Sequence, residues 1–142
     1  MKIYFATSIS GVITDDSAYY NKELIYLLKN FGEVLTEHFS NADLQRKGEA
    51  ELTDKFIHDR DVKWIDESEC IISDVTNPSL GVGYEIRYGI ERGKKILCLK
   101  RKDGKRLSAM IKGNGMVDTA EYGSIAEASE IIKNFFNKNY GI

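Results

Sequence analysis

The feature that most constrains this chain is a regular alternation of short apolar runs with longer segments of helical periodicity. Apolar side chains in the longer segments recur every three to four residues, which is the spacing of one helix face. Strands that alternate with helices in this way form βαβ units, so the sequence predicts a parallel sheet covered by helices on both faces. With right-handed crossovers the expected fold class is α/β: a doubly wound, flavodoxin-like (Rossmann-like) sandwich around a five-stranded parallel sheet.

The predicted elements follow one another without a repeat or a linker. Strands are predicted at 3–6, 33–36, 70–75, 96–99 and from 116, and helices at 19–31, 50–67, 84–92, 107–111 and 125–136. Residues 15–17 are expected to cap the first helix and Gly32 to end it, while 77–83 is expected to be a loop and 100–105 a charged turn. The 142 residues are expected to form a single domain, 1–142.

Charge and composition argue against several classes of partner. A net charge of −2 gives no general attraction to nucleic acid or to an anionic membrane surface. No apolar run approaches the roughly 20 residues of a membrane-spanning helix. Cys70 and Cys98 lie inside apolar runs, as reduced core cysteines do. We therefore expect a cytoplasmic protein.

The loops after the first three strands, at 7–12, 38–41 and 76–83, are the expected ligand-binding edge of the sheet. The sequence contains no P-loop, no GxSxG elbow, no HExxH and no CxxC. Gly81-Val82-Gly83 begins like a dinucleotide-binding fingerprint, but Ile86 stands where the third glycine is needed. Classical NAD binding is therefore not predicted.

Two carboxylates are candidates for catalysis. Glu85 is expected in the first turn of a helix, where the helix N-terminus stabilises an ionised carboxylate, as a nucleophile or a base requires. Gly81 and Gly83 before it permit close approach of a ligand. Asp61 interrupts the apolar stripe of the 50–67 helix, so it is either a desolvated acid or sugar ligand, or a boundary residue paired with a neighbour such as Arg60.

Two such carboxylates suit a retaining glycosidase, in which one attacks the anomeric carbon and the other assists the leaving group. Small residues and hydroxyls fill the same edge. Such loops at helix starts bind phosphate without a cation, although they also serve simply as caps and turns. The residues in question are Ser8, Ser10, Gly11, Ser79 and Gly81.

The segments that contain these residues resemble a known family. The runs are 2–11, 31–38, 61–64, 74–85, 95–99 and 107–111, and together they span nearly the whole chain. In that order they resemble the 2'-deoxynucleoside 5'-phosphate N-hydrolases, within the nucleoside 2-deoxyribosyltransferase superfamily. The segment from Pro78 to Glu85 is the most specific of them, and 107–111 separates the phosphate-using hydrolases from the free-nucleoside transferases.

The resemblance implies a role for each matching residue. Glu85 matches the nucleophile, Asp61 the acidic partner near the sugar and the leaving base, and Tyr4 a tyrosine beside the nucleophile. Ser108 matches a phosphate-binding serine that reaches in from the second subunit of a homodimer, so a homodimer is implied, and no metal or organic cofactor is. The remaining substrate-binding positions implied are Ser8, Ile9, Ser10 and Gly11 around base and phosphate, Ile57 on the base pocket, Ser79 and Gly81 at the phosphate, and Met110 beside Ser108.

One departure from the family pattern affects the expected substrate. Where the family usually has Ser-Ile-Arg-Gly-Gly, this chain has serine at position 10 and valine at position 12. Serine cannot supply the charged fork of an arginine. The resemblance predicts hydrolysis of the N-glycosidic bond in a (2'-deoxy)nucleoside 5'-monophosphate. The alternatives are base exchange as in a 2-deoxyribosyltransferase, a cytidine-monophosphate N-glycosidase, and a non-catalytic nucleotide-binding module.

Overall fold

A computed structural model describes residues 1–9, 15–40 and 51–142. Its strands are β1 (Lys2–Ala6), β2 (Glu33–Val34), β3 (Cys70–Asp74), β4 (Lys95–Arg101) and β5 (Asp118–Tyr122). Its helices are α1 (Asp15–Leu28), a 3₁₀ turn (Glu37–Ser40), α2 (Asp54–Glu67), α3 (Leu80–Glu91), α4 (Ala109–Lys112) and α5 (Ile125–Tyr140). In this part of the chain no helix is long and apolar enough to cross a membrane.

The sheet has the predicted topology. Its strand order is β2-β1-β3-β4-β5, and every neighbouring pair is parallel. The order reverses between β1 and β3, which is the switch point where doubly wound folds leave a crevice for a ligand. The predicted flavodoxin-like class is thus confirmed, and the crevice lies beside Tyr4 of β1.

The sheet divides the interior into two apolar clusters. Successive side chains of β1 point to opposite faces. Ile3 and Phe5 join the cluster under α1 and α5, whereas Tyr4 and Ala6 join the cluster under α2 and α3. Tyr4 is therefore directed towards the helices that carry the two candidate carboxylates.

Helix α3 begins earlier than predicted. The sequence suggested a glycine-rich loop and a helix from Tyr84, but the helix begins at Leu80. The reason is Ser79, whose hydroxyl accepts the backbone N–H of Val82 and so caps the first turn. The prediction that Glu85 lies in the first turn is wrong, and stabilisation of its charge by the helix end is correspondingly weaker because that effect fades beyond one turn.

Strand β4 is longer than predicted, and this corrects the charged turn at 100–105. Lys100 and Arg101 belong to the strand, where they pair with Glu121 and Tyr122 of β5. Lys100 is only 2% exposed, because its ammonium donates to the carbonyl of Arg101 and to the carboxylate of Asp103. The charged turn expected at 100–105 is therefore wrong for Lys100 and Arg101, which the strand includes.

Other boundaries differ by a few residues. Helix α1 includes residues 15–17, which were expected to precede it, and ends at Leu28 in a turn where Asn30 donates to the carbonyl of Leu27. Helix α2 begins at Asp54 because Thr53 caps it. The final strand begins at Asp118, after a turn in which Val117 donates to the carbonyl of Asn114.

Candidate active site

The centre of the candidate site is a hydrogen bond between β1 and α3. The phenol of Tyr4 donates to Oε1 of Glu85 across 2.7 Å. Tyr4 is fully buried and paired in register with Ile71 of β3, so its hydroxyl is held rigidly. Glu85 is half-buried and lies in the second turn of its helix, six residues beyond the cap Ser79. The carboxylate thus has a fixed donor and remains accessible to a ligand.

Tyr4 is maintained as a proton donor by its surroundings. Burial raises the pKa of Tyr4 well above its usual value, and the nearby negative charges of Glu85 and Asp61 raise that pKa further. The phenol therefore keeps its proton over the whole physiological range. A neutral phenol donating to a carboxylate stabilises the ionised form of that carboxylate, which is the form a nucleophile needs.

Asp61 lies on α2 with its side chain turned inward, as the interrupted apolar stripe suggested. The residue is 8% exposed, and the guanidinium of Arg60 donates to its Oδ1 at 2.8 Å. Arg60 in turn stacks over Trp64, with 4.8 Å between the guanidinium carbon and the ring centroid. Both interpretations of the pattern therefore describe part of the arrangement: Asp61 is paired with Arg60 and is also desolvated.

The two carboxylates line one cavity of about 300 Å³ between α2 and α3. Its volume lies at the lower end of the range for small-molecule sites. Ile57, Val62 and Ile65 supply apolar walls, and Gly81 borders it from the first turn of α3. Asp54 adds a third carboxylate to the wall, and an apolar slot edged by carboxylates is suited to a flat, polar-edged ring attached to a sugar.

Three further polar side chains of this cavity are not among the predicted site residues: Asp54, His58 and Tyr84. His58 of α2 lies 3.1 Å from the hydroxyl of Tyr84 on α3, through its Nε2, and its Nδ1 lies 3.0 Å from Asp59. The rings of His58 and Tyr84 meet edge to face, 5.7 Å apart. His58 follows Ile57 by one residue and precedes Asp61 by three, and Tyr84 directly precedes Glu85. This spacing relative to predicted site residues was the available signal.

Ser79 and Ser108 line a second, larger cavity of about 800 Å³ on another side of α3. The hydroxyl of Ser79 caps α3, and that of Ser108 accepts the backbone N–H of Met110 at the start of α4. Met110 also lines this cavity and is 82% exposed. The structure thus places the two serines together but away from the walls formed by Glu85 and Asp61.

The remaining predicted residues lie after β1. Ser8 is buried, and Ile9 packs against the apolar cluster under α1 and α5. Ser10 and Gly11 lie outside the described residues. Within the described ranges, no group of three or more His, Cys, Asp or Glu side chains could hold a metal ion.

Comparison with known proteins places these residues in a family context. A family model described as nucleoside 2-deoxyribosyltransferase matches residues 3–134. A 5-hydroxymethyl-dUMP N-hydrolase of Esox lucius is 52% identical over 116 residues, which cover 80% of this chain and 79% of that protein. A 5-hydroxymethyl-dUMP N-hydrolase of Tetraodon nigroviridis is 42% identical over 141 residues, which cover 96% of this chain and 98% of that protein.

A solved structure shares the fold at much lower sequence identity. The CMP N-glycosidase BcmB of Clostridium botulinum superposes with a TM-score of 0.66 at 17% identity, over 95% of this chain and 99% of that one. At an identity this low, the superposition is evidence for a shared fold only.

Proposed function

The chain belongs to the nucleoside 2-deoxyribosyltransferase family, and from this premise we propose that it is an N-glycosidase of (2'-deoxy)nucleoside 5'-monophosphates. The products are the free base and (deoxy)ribose 5-phosphate. Relatives at 42–52% identity that are named as nucleotide N-hydrolases support this reaction over base exchange.

The observation that carries the proposal is the 2.7 Å hydrogen bond from Tyr4 to Glu85 at the edge of a cavity that Asp61 also lines. A hydrolase that acts through a glycosyl-enzyme needs an ionised carboxylate that is held in one orientation. Tyr4 supplies that orientation from a fully buried position on β1, a strand that is paired on both sides, with β2 and β3. Because its pKa is raised, it donates at every pH at which the enzyme would act.

The reaction then proceeds in two displacements. A carboxylate oxygen of Glu85 attacks the anomeric carbon, the bond from that carbon to the base nitrogen breaks, and its electron pair leaves with the base, which takes up a proton. Water next attacks the same carbon, loses a proton and releases Glu85 as a carboxylate. Asp61, fixed by Arg60 at 2.8 Å, contacts the sugar and the leaving base.

The phosphate in this proposal is bound by Ser79 and Ser108 with the backbone at the start of α3, around Gly81. We further propose a homodimer in which Ser108 reaches the partner's site. The exposure of the 107–111 segment supports this, since Met110 is 82% exposed and Ser108 lies on the surface of a single chain. Hydroxyls and amides suffice to orient a phosphate, although they supply no full positive charge.

A panel of ribonucleoside and deoxyribonucleoside monophosphates, monitored for released base by chromatography, tests the proposal. We expect cleavage of at least one monophosphate and its loss, by a factor of about 10³ or more, in Glu85→Ala. Glu130→Ala is the control, because Glu130 is paired on the surface with Lys133 and lies outside both cavities. If no monophosphate is cleaved, or if Glu85→Ala retains the wild-type rate, the proposal is wrong.

Base exchange is distinguished in the same assay by an added free base. A transferase converts the added base into a new nucleoside or nucleotide, whereas a hydrolase delivers the sugar phosphate to water. We expect only the hydrolysis products.

A further inference from the structure

The larger cavity, of about 800 Å³, is lined by basic side chains and by no carboxylate of the described residues. This distribution is unusual for a chain whose net charge is −2. The basic residues on its wall are Arg87, Lys100, Lys105 and Arg106. The wall of the cavity therefore offers an anion several positive charges and no carboxylate, while the carboxylate of Asp103 lies outside the wall near Lys100 and Lys105.

Two of these four cations are already paired. Arg87 forms an ion pair of 3.0 Å with Glu91, one turn along α3. Lys100 is buried and pairs with the carboxylate of Asp103. Their positive charges are balanced within the protein.

Arg106 and Lys105 differ from them. Within the described ranges, neither side chain forms a hydrogen bond, an ion pair or a ring contact. Arg106 is unusual in this respect, since the described arginines elsewhere have partners: Arg60 has Asp61, Arg92 has Asp66, and Arg101 has Ser17 and Tyr20. Both residues are exposed, so their donors are available to a ligand.

We propose that Arg106, with Lys105 beside it, binds the 5'-phosphate of the substrate in the cavity that Ser79 and Ser108 line. This assignment rests on the proposed function and supplies the positive charge that the hydroxyls lack. The planar guanidinium of Arg106 presents two parallel N–H donors that match two phosphate oxygens, and the ammonium of Lys105 adds a second charge. Arg106 is two residues from Ser108, so the two act on the same phosphate in one chain or reach a partner's site together.

The assignment makes the phosphate a determinant of specificity. A nucleoside without its phosphate leaves Arg106 and Lys105 without a partner, so we expect a strong preference for the monophosphate. Removing the two cations should reduce that preference and leave the bond-breaking step unchanged, because neither residue lines the cavity of Glu85 and Asp61.

The test measures KM and kcat for the best monophosphate in Arg106→Ala and in the double variant Lys105→Ala/Arg106→Ala. We expect KM to rise about 10- to 100-fold, the range of a charged hydrogen bond, with kcat changing less than about threefold. Lys112→Ala is the control: it removes one positive charge from the same segment, it is exposed, and it lies outside both cavities. KM of this control should stay within about twofold of the wild type.

Two results overturn the assignment, and they are separable from failure of the proposed function. If the wild type cleaves monophosphates and the double variant has an unchanged KM, Arg106 does not bind the phosphate. If the wild type cleaves no monophosphate, inorganic phosphate is titrated by calorimetry instead. Binding that weakens at least tenfold in the double variant then supports the assignment, and equal or absent binding overturns it.

Discussion

The hydroxyl of Tyr4 donates to Oε1 of Glu85 across 2.7 Å, which joins the middle of the sheet to the helix that follows its neighbouring strand. Removing the hydroxyl in Tyr4→Phe leaves the ring packed and frees the carboxylate. We expect kcat to fall about 10- to 100-fold, with little change in thermal stability. Steady-state kinetics and a melting curve of the same preparation check this.

The pKa of Tyr4 also predicts the shape of the pH profile. Burial and the charges of Glu85 and Asp61 raise that pKa well above its usual value of 10.0, so the phenol does not ionise below pH 10. We expect the alkaline sides of the pH–rate curves of the wild type and Tyr4→Phe to be parallel between pH 8 and 10, offset by a constant factor. An alkaline limb that disappears in Tyr4→Phe would show that the phenol titrates within this range.

Asp61 and Asp66 form a matched pair on helix α2. Asp61 lines the cavity and is 8% exposed, whereas Asp66 lies on the surface, bound to Tyr88 and Arg92. We expect Asp61→Asn to lower kcat/KM about 10²- to 10⁴-fold and Asp66→Asn to change it less than about threefold. Equal effects in the two variants would show that Asp61 stabilises the helix and has no direct role in the reaction.

Asp74 predicts an unusual dependence of stability on pH. Burial raises the pKa of Asp74 above its usual 3.8, although the backbone N–H of Thr76 and the phenol of Tyr122 donate to its carboxylate. The unfolded chain therefore loses this proton at lower pH than the folded chain, and the free energy of unfolding decreases as pH rises through that interval. Asp74→Asn lacks this contribution. In urea titrations from pH 4 to 8, the variant should gain stability relative to the wild type as pH rises, and a constant difference would contradict the assignment.

Gly32 predicts a local packing constraint. A Cβ at this position would lie 2.2 Å from the carbonyl oxygen of Met1, which accepts the backbone N–H of Glu33 beside the β1–β2 pair. We expect Gly32→Ala to lower the free energy of unfolding by about 1–3 kcal/mol. Gly115→Ala is the control, because a Cβ there has nothing within 4 Å. Chemical denaturation of both variants checks the difference.

Mixed protomers test whether Ser108 acts across an interface. If it does, a heterodimer of Glu85→Ala and Ser108→Ala contains one intact site, with Glu85 from one chain and Ser108 from the other. We expect mixing of the two inactive or weakened variants to restore up to about half of the activity per heterodimer. If Ser108 acts within its own chain, mixing restores nothing. Sedimentation of the wild type provides the oligomeric state.

The architecture follows from the sequence because it depends on patterns that recur along the whole chain. Alternating apolar runs and helical periodicity led to the correct sheet. An inward-facing Asp61 was one of two interpretations of the apolar stripe that it interrupts. Boundaries depended on single hydrogen bonds instead. The cap by Ser79 adds a turn to α3, which moves Glu85 away from the helix end.

Charged residues were harder to predict than apolar ones. Lys100 was expected in solvent, but an acceptor three residues away allows its burial. Arg60 was one of several possible partners for Asp61 that the sequence left open. The bond between Tyr4 and Glu85 joins residues 81 positions apart, so only the resemblance, and no local pattern, brought them together.

Alternate side chains of β1 lie on opposite faces of the sheet, so the candidate site and the larger apolar cluster are on different faces. Tyr4 contacts Glu85 on the wall of the smaller cavity, while Ile3 and Phe5 join the opposite cluster, where Phe31 stacks on Phe136 with 4.3 Å between ring centroids. Substitutions that conserve volume in that opposite cluster change the free energy of unfolding. They leave the geometry around Glu85 unchanged, since effects at well-separated sites are nearly additive. Under the proposed function, evolution can vary the packing residues on one side of the sheet, whereas contact with the substrate restricts the residues on the other side.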